Sequence, residues 1–290
     1  DDLPMRQLID IPSCVPAVPG LENAGAEFFA AEVEELSGLD RVIGLAEVMD
    51  FLAVIHGEDR MMDIIDVMDK KGLYLQGHAP YVSGRMLSAY LCGGPNTCHE
   101  TRDRKEALEK LRSGMFVDAR DSSITKNVQE VYEGVKGVRF FDHLCLCTDD
   151  READDILHVG HMNDVVRSAI RCGMDPVTAI KSATLNTARE IHLENLGAIA
   201  PGYVADLLLV DDLTELKPSH VFFGGKLVAR DGKLTVEIPH REYPLEKVNT
   251  MCVKELSRED FVIHAPVENG TVTVHVMEYP DLNLSSTLLT

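Results

Sequence analysis

The sequence has no tryptophan, and aromatic residues make up only 6% of its 290 residues. It also has no apolar run near the roughly 18 residues that span a bilayer, and we predict no signal peptide at its start. Basic residues are few: 28 Lys and Arg stand against 48 Asp and Glu, which gives a net charge of -20. Because such an acidic surface repels phosphate groups, we expect neither a membrane partner nor a nucleic-acid partner.

Paired cysteines are missing as well. The 7 cysteines are scattered, with only Cys145 and Cys147 close together, so the sequence predicts neither a zinc ribbon nor a small disulfide-rich domain. Free thiols indicate a reducing compartment, and we expect a cytoplasmic protein. What the sequence does contain, 45% hydrophobic and 26% charged residues, is typical of a globular protein. Its length allows one large domain and a smaller one.

Several apolar segments end abruptly in residues that can do chemistry. These terminal residues are Glu47, His78, the pair His99–Glu100, Arg120 and the pair Asp149–Asp150. A buried parallel strand has this form when its carboxyl end opens on a catalytic site. Strand and helix alternate throughout this part of the chain. The sequence therefore predicts an α/β fold, a TIM-like (β/α) barrel with its site at the carboxyl face.

Helical periodicity and turn residues indicate the rest of the organisation. We predict helices over residues 58–71, 159–172 and 177–190, and a charged helix over residues 102–113. From residue 196 onward, short apolar segments separated by glycine-containing turns predict an antiparallel β layer, and residues 271–277 alternate again. The predicted domains are therefore a barrel over residues 1–195 and a β-rich region over residues 196–290.

The strand-end residues include a set of potential metal ligands. Imidazole and carboxylate together suit a divalent transition metal such as zinc, iron or manganese. Such an ion lowers the pKa of bound water, and a neighbouring carboxylate can then move protons. The four residues fit for this are Glu47, His78, His99 and Asp149. A single histidine of this kind is more often a packing residue, but four such residues at separate strand ends indicate a site.

Other polar residues near the strand ends have two interpretations each. Arg120 and Ser122 could hold the polar edge of a substrate, or they could belong to an exposed turn that caps a helix. His161 and His158 lie one helical turn apart after the last strand, a position that favours substrate contact over ligation. Cys145 and Cys147 share one face of their strand, either the barrel interior or the helix-covered side. We expect both cysteines to be small buried hydrophobic residues.

Short motifs spread over residues 8 to 230 carry a resemblance to a known family. They are Pro12–Pro16 (PSCVP), Gly44–Met49 (GLAEVM), Gly77–Pro80 (GHAP), His99–Glu100, Leu111–Met115, Cys147–Asp150 (CTDD), Gly160–His161, Ala183–Ala188 (ATLNTA) and Gly197–Asp206. In these motifs the chain resembles the adenine deaminase family of the amidohydrolase superfamily. The last motif is general to the superfamily, whereas PSCVP, GHAP and CTDD are more particular to this family. The resemblance implies a TIM-like barrel with an antiparallel β-sandwich built from the segments before and after it.

The resemblance also implies a binuclear metal site that takes manganese or iron, with zinc possible. Glu47 would bridge the two ions, and His78 and His99 would be ligands from the following strands. Asp149 would be the last ligand and, with His99 and Glu100, a catalytic residue. The expected substrate contacts are Arg120, Ser122, Asp150 and His161. The family hydrolyses adenine to hypoxanthine and ammonia, so the resemblance implies a purine salvage enzyme. We also expect a homo-oligomer.

The main departure of the sequence from the family is that it has no His-x-His, the motif with which the family's barrel begins; a smaller one is Leu75–Gln76 before the GHAP motif. We therefore expect a central fragment that covers strands three to eight of the barrel and part of the sandwich. Two alternatives stay open. One is another amidohydrolase that acts on a cyclic amide or amine; such relatives bridge their metals with a carboxylated lysine, so Glu47 favours the deaminase. The other is a non-catalytic barrel that serves as a subunit.

Overall fold

The computed structural model describes residues 3–22, 25–240, 242–249, 253–273, 276–278 and 287–289. Backbone contacts divide the chain into two compact units, Pro4–Val236 and a smaller one made of Asp1–Leu3 and Glu237–Thr290. The first unit extends past residue 196, where the sequence predicted a change of domain. An ion pair between Arg6 and Asp206, with 3.2 Å between Nη2 and Oδ2, joins the parts before and after that point.

Among its described residues, six short parallel strands form the frame of the first unit. They are β1 (Ile9–Ile11), β2 (Val42–Val48), β3 (Tyr74–Gly77), β4 (Thr97–Cys98), β5 (Phe116–Arg120) and β6 (Leu144–Cys147). They pair in chain order in two sheets, β1-β2-β3 and β4-β5-β6. Among the described residues no backbone ladder joins β3 to β4, and the two strands are linked by Gly77 N, which donates to Thr97 Oγ1 at 2.8 Å. Parallel pairing in chain order agrees with the predicted α/β layout.

Helices separate and follow these strands. They are α1 (Ala30–Leu36), α2 (Phe51–His56), α3 (Asp59–Lys70), α4 (Gly84–Cys92), α5 (Arg104–Arg112), α6 (Val128–Val135), α7 (Ala153–His158), α8 (Met162–Arg171), α9 (Pro176–Ser182) and α10 (Leu185–Glu190). The predictions over residues 58–71 and 102–113 agree with α3 and α5 to within two residues at each end. The buried stripe of α3 is Met61, Ile64, Ile65 and Met68, at the spacing of one helical face.

Two predicted helices differ in the structure. The helix predicted over residues 159–172 begins only at Met162, because Gly160 adopts a φ of 137° that no helical residue has. The helix predicted over residues 177–190 is interrupted at Thr184, whose φ of -132° and ψ of -85° separate α9 from α10. After the second interruption, α10 contacts the amino end of β6, where Asn186 Nδ2 donates to Leu144 O at 2.9 Å.

Strand alternation separates an apolar outer face from a polar inner face. Leu75 of β3 packs in one buried apolar cluster with helices α2 to α4, and Leu144 and Leu146 of β6 pack in a second with helices α6, α8 and α9. Burying each such side chain contributes roughly 1.5–3 kcal/mol to folding. Cys145 and Cys147 alternate with these leucines along β6, so their side chains lie on the opposite, inner face of the sheet.

The chain after residue 196 forms the predicted antiparallel layer. Its strands are β7 (Leu207–Val210), β8 (Pro218–Phe223), β9 (Lys226–Arg230) and β10 (Lys233–Leu234), in the order β10-β9-β8-β7. The turn between β8 and β9 is Gly224–Gly225, both with positive φ, the pattern of a two-residue hairpin. This is one sheet; among the described residues of this unit no second antiparallel sheet packs on it as a sandwich.

The smaller unit has little regular structure among its described residues. It contains α11 (Leu245–Val248), a 3₁₀ turn at Arg258–Phe261 and the antiparallel pair β11 (Val276–Glu278) and β12 (Thr287–Leu289). The alternation predicted over residues 271–277 lies partly outside the described residues, since 274 and 275 are not among them. Nowhere in the described parts of the chain is a helix long and apolar enough to cross a bilayer.

Candidate metal centre

Glu47 is turned to the inner face by an irregularity in β2. Leu45 and Val48 are both fully buried in the apolar cluster, and the β2–β3 register shifts between them. Their three-residue spacing cannot fit regular alternation, so the shift places Glu47 on the inner side. The Glu47 carbonyl oxygen accepts hydrogen bonds from Ser13 Oγ and, at 2.9 Å, from Cys14 Sγ. The PSCVP motif therefore supports the backbone of this acid.

Two imidazoles converge on the Glu47 carboxylate. Glu47 Oε2 lies 3.1 Å from His78 Nδ1 and 2.7 Å from His99 Nε2. The two rings are edge to face, with 5.4 Å between their centroids. The backbone N–H of His78 donates to the hydroxyl of the buried Tyr90 at 2.9 Å, which fixes the start of this loop. Three consecutive strands thus deliver one carboxylate and two imidazoles whose ligand atoms lie within 4.8 Å of one another.

The electrostatics of this group favour a bound cation. Burial by itself would raise the pKa of Glu47, but hydrogen bonds and charge from His78 and His99 outweigh it and hold that pKa well below its usual range. For His99, burial alone would lower the pKa, whereas Glu47, Asp149 and Asp118 raise it. Positive charge is therefore stabilised at the point where the two rings and the carboxylate meet.

Asp149, at the end of β6, lies near this group and forms an ion pair with Arg120. It follows β6 with a φ of 54°, and its carboxylate accepts a hydrogen bond from Arg120 Nη1. Arg120 Nη2 donates to Glu100, whose other oxygen pairs with Arg102 at 2.5 Å. Asp149 is not part of the group of ligand atoms around Glu47, although its charge acts on the nearby His99. The predicted ligands are therefore a close group of three residues and one neighbouring acid.

Arg120 itself is enclosed. It is 5% exposed, and its guanidinium is divided between Glu100 and Asp149. The backbone N–H of Arg120 donates to Asn127 Oδ1 at 2.7 Å, which holds the end of β5. These contacts commit the Arg120 guanidinium to two acids, and the predicted contact of Arg120 with a substrate stays a prediction.

The other predicted substrate contacts lie at turns. Ser122 is buried, and its Oγ donates to Thr125 O at 2.8 Å and accepts from the backbone of the same turn. It is therefore not the exposed capping residue of the second interpretation, and the N-cap residue of α6 is Asn127. Asp150 is exposed, and its carbonyl oxygen accepts from Ser123 N at 2.9 Å. His161 is exposed at the start of α8. None of the contacts described for these three residues reaches the imidazole–carboxylate group.

Sequence analysis missed a second polar layer on the inner face. Ligand atoms of Asp118, Cys145 and Glu190 lie within 4.8 Å of one another, and Tyr74 donates its hydroxyl hydrogen to Glu190 Oε1 at 2.7 Å. Burial raises the pKa values of both acids, with the charge of Glu190 as a further cause for Asp118 and the charge of Asp10 for Glu190. The carboxyl groups of this buried layer therefore hold their protons more tightly than they would in water. Period-two spacing could have found it, since Asp118 is two residues before Arg120.

The donor set fits a divalent transition metal. Imidazole nitrogen and carboxylate oxygen are ligands that zinc, iron and manganese share. Ligands bound at about 2.0–2.2 Å to one ion lie roughly 3 Å apart. The separations of 3.1 and 2.7 Å from Glu47 Oε2 to His78 and His99 match that spacing. The chain therefore carries a candidate divalent-metal site at the ends of β2, β3 and β4.

Comparison with known proteins agrees with this geometry. The family profile described as "Amidohydrolase family" matches residues 1–228. The chain is 38% identical over 273 residues to an adenine deaminase of Kosmotoga olearia, covering 93% of this chain and 46% of the relative. It is 41% identical over 272 residues to adenine deaminase 3 of Rhizobium meliloti, covering 91% of this chain and 45% of the relative. The chain thus spans about half the length of the curated relatives it matches.

A solved structure supports the fold. The crystal structure of a β-aspartyl dipeptidase from Fervidobacterium islandicum superposes with a TM-score of 0.52 at 21% identity, over 71% of this chain and 62% of that chain. At this identity the likeness concerns the fold alone. The family match over residues 1–228, together with the carboxylate and imidazoles at successive strand ends, shows that the chain belongs to the amidohydrolase family.

Proposed function

We propose that this chain is the catalytic core of a hydrolytic adenine deaminase, which converts adenine and water to hypoxanthine and ammonia. The observation that carries the proposal is the convergence of Glu47, His78 and His99 within 4.8 Å. The identity of 38% to an adenine deaminase over 93% of the chain supports the choice of substrate. Because this chain spans about half of that relative, the complete activity is part of the proposal.

The metal part of the proposal is a binuclear centre of manganese or iron, with zinc as a further option. Glu47, His78 and His99 would hold the metal, and Asp149 would be a ligand from the last strand. When bound, a divalent metal would lower the pKa of water and so supply a nucleophile at neutral pH. A glutamate at the end of β2, in place of a lysine, favours the deaminase over hydantoinase-like hydrolases.

The proposed acid–base work falls to Asp149. Its side chain is 25% exposed, so the carboxylate is open to a substrate above the strand ends. Asp149 takes a proton from the attacking water and gives it to the leaving amine nitrogen of adenine. Arg120 holds this carboxylate in place and Glu100 holds Arg120, while His99 orients the reacting groups on the other side. Ser122, Asp150 and His161 remain proposed contacts for the rest of the purine.

The proposal includes the partners, location and assembly of the protein. The proposed partner is a small-molecule substrate, with no membrane and no nucleic acid, and we propose a cytoplasmic homo-oligomer that serves purine salvage. The net charge of -20 is consistent with a protein that does not bind nucleic-acid backbones.

The test is to incubate manganese-loaded protein with adenine and to follow ammonia release and the formation of hypoxanthine. We expect turnover by the wild-type protein and none by Glu47→Ala. Dihydroorotate and hydantoin serve as competing substrates under the same conditions. Hydrolysis of a cyclic amide without adenine turnover would replace the deaminase with another amidohydrolase activity. Protein that binds no transition metal and turns over none of the substrates would favour a non-catalytic barrel.

A further inference from the structure

We propose that the buried ion pair of Lys110 and Glu106 is a positioning device that sets the separation of the His78 and His99 imidazoles. The proposal deepens the function above and rests on it, since it concerns the affinity of the same metal centre. Neither Lys110 nor Glu106 was singled out in the sequence, where α5 reads as a charged surface helix.

The need for such a device comes from the sheet. The parallel strands form two separate ladders, and the break falls between β3 and β4, the strands that carry His78 and His99. Among the described residues, no backbone ladder therefore fixes the spacing of the two imidazole-bearing strands. Gly77 N and Thr97 Oγ1, 2.8 Å apart, link the strands below the site. Any further link nearer the ligands therefore has to come from side chains.

Lys110 provides that link from the helix side. It is 0% exposed, and its Nζ donates to Ala79 O at 2.6 Å and to Cys98 Sγ at 3.1 Å. Ala79 is the residue after His78, and Cys98 is the residue before His99. One ammonium group thus contacts the immediate neighbours of both imidazole ligands. The backbone N–H of Ala79 also donates to Cys98 Sγ, at 3.4 Å, which closes the connection.

Glu106 completes the charge balance and extends the connection to both loops. Its Oε1 accepts from Lys110 Nζ at 2.6 Å and from Tyr81 N at 2.9 Å. Its Oε2 accepts from Arg102 N at 2.9 Å. Tyr81 lies three residues after His78, and Arg102 lies three residues after His99. The pair therefore contacts the residue next to each imidazole ligand and also the residue three positions after it.

Energetics separate positioning from simple stabilisation. Moving an ammonium and a carboxylate out of water is costly, so a buried ion pair is often no more stabilising than apolar residues of the same size. Among the described residues, the side-chain hydrogen bonds of this buried pair go to residues that flank the two imidazoles and within the pair itself, so the pair is better explained by geometry than by folding energy. Groups that hydrogen-bond a metal ligand directly weaken metal binding by about 10–100-fold when removed, and this pair contacts the residues next to the ligands.

The experiment is a titration of the metal-free protein with Mn²⁺ for wild type, Lys110→Met and Glu106→Gln, with thermal midpoints measured without metal. Lys70→Met is the matched control, because Lys70 forms the same i,i+4 type of ion pair with Asp66 on the exposed side of α3. We expect a Kd for Mn²⁺ raised at least tenfold in both variants, while the control is unchanged. Excess Mn²⁺ should restore adenine turnover with an unchanged KM for adenine.

The outcomes are distinct. Wild-type Mn²⁺ affinity in Lys110→Met or Glu106→Gln overturns the positioning role while leaving the deaminase proposal standing. Loss of turnover that excess Mn²⁺ does not restore also overturns it, since the pair would then act through something other than metal affinity. If Lys110→Met does not fold, Glu106→Gln decides the question, because it keeps the shape of the side chain while it removes the charge and replaces one acceptor oxygen by an NH2 group. Absence of Mn²⁺ binding by the wild-type protein would instead reject the function on which the inference rests.

Discussion

The free energy of unfolding should decrease as the pH rises and Asp10 loses its proton, and Asp10→Asn should abolish this decrease. Asp10 lies on β1, and its Oδ1 atom is buried without a hydrogen-bond partner among the described residues. Burial therefore raises the pKa of Asp10 to about 6, from an ordinary value of 3.8. The folded protein holds this proton more tightly than the unfolded chain does.

The sign and size of the effect follow from linkage. Because the folded-state pKa is raised, the stabilisation is complete below about pH 4 and is lost as pH rises through about 6. Raising the pKa of one group from 3.8 to about 6 corresponds to about 3 kcal/mol of folding free energy. Since Asp10 is only partly buried, solvent screening reduces this to roughly 1–2 kcal/mol. An asparagine has no proton to lose and avoids the penalty at neutral pH.

The assay is urea unfolding of wild type and Asp10→Asn at several pH values between 4 and 8. The stability of Asp10→Asn relative to wild type should increase by about 1–2 kcal/mol over that range. Asp40→Asn is the control, because the Asp40 side chain is 91% exposed and its substitution should leave a constant difference. A difference between Asp10→Asn and wild type that does not vary with pH would refute the reasoning.

Two further predictions concern the site. Gly77→Ala should destabilise the fold by about 1–3 kcal/mol in urea unfolding, since its Cβ would lie 2.3 Å from Thr97 O, whereas Gly137→Ala, with open space around it, should have little effect. Equal stabilities for the two variants would contradict the close approach of β3 and β4. Asp149→Asn should lower kcat by about 10²–10⁴-fold with a thermal midpoint near that of wild type, because the amide oxygen still accepts from Arg120. Retained activity would remove Asp149 from proton transfer.

The strand ends were predictable because each apolar run stops at a residue of different chemistry. Glu47, His78 and His99 follow or end successive strands, and parallel strands bring their carboxyl ends to one edge. That argument uses only order and period. It could not predict the register shift in β2 that turns Glu47 inward. The shift is visible only in the packing, where Leu45 and Val48 are both buried although they are three residues apart.

The enclosed charges were not predictable from local sequence. A lysine in a charged helix is almost always at the surface, yet Lys110 is fully buried beneath the two imidazole loops. Likewise, the partners of Arg120 are 20 and 29 residues away in sequence, so its assignment to substrate could not be checked against Glu100 and Asp149. The late start of α8 was also not predictable from local sequence. Many helices tolerate a glycine, and only the φ of 137° at Gly160 shows that this residue is not helical.

The central claim is that Glu47, His78 and His99 form one divalent-metal site. The most direct test is the metal content of purified wild-type protein and of Glu47→Ala after equilibration with Mn²⁺, together with their thermal midpoints. The account predicts bound Mn²⁺ and a raised midpoint for wild type, and the loss of at least one metal equivalent in Glu47→Ala. Wild-type protein with no bound metal and no gain in thermal stability, or an unchanged metal content in Glu47→Ala, would contradict it.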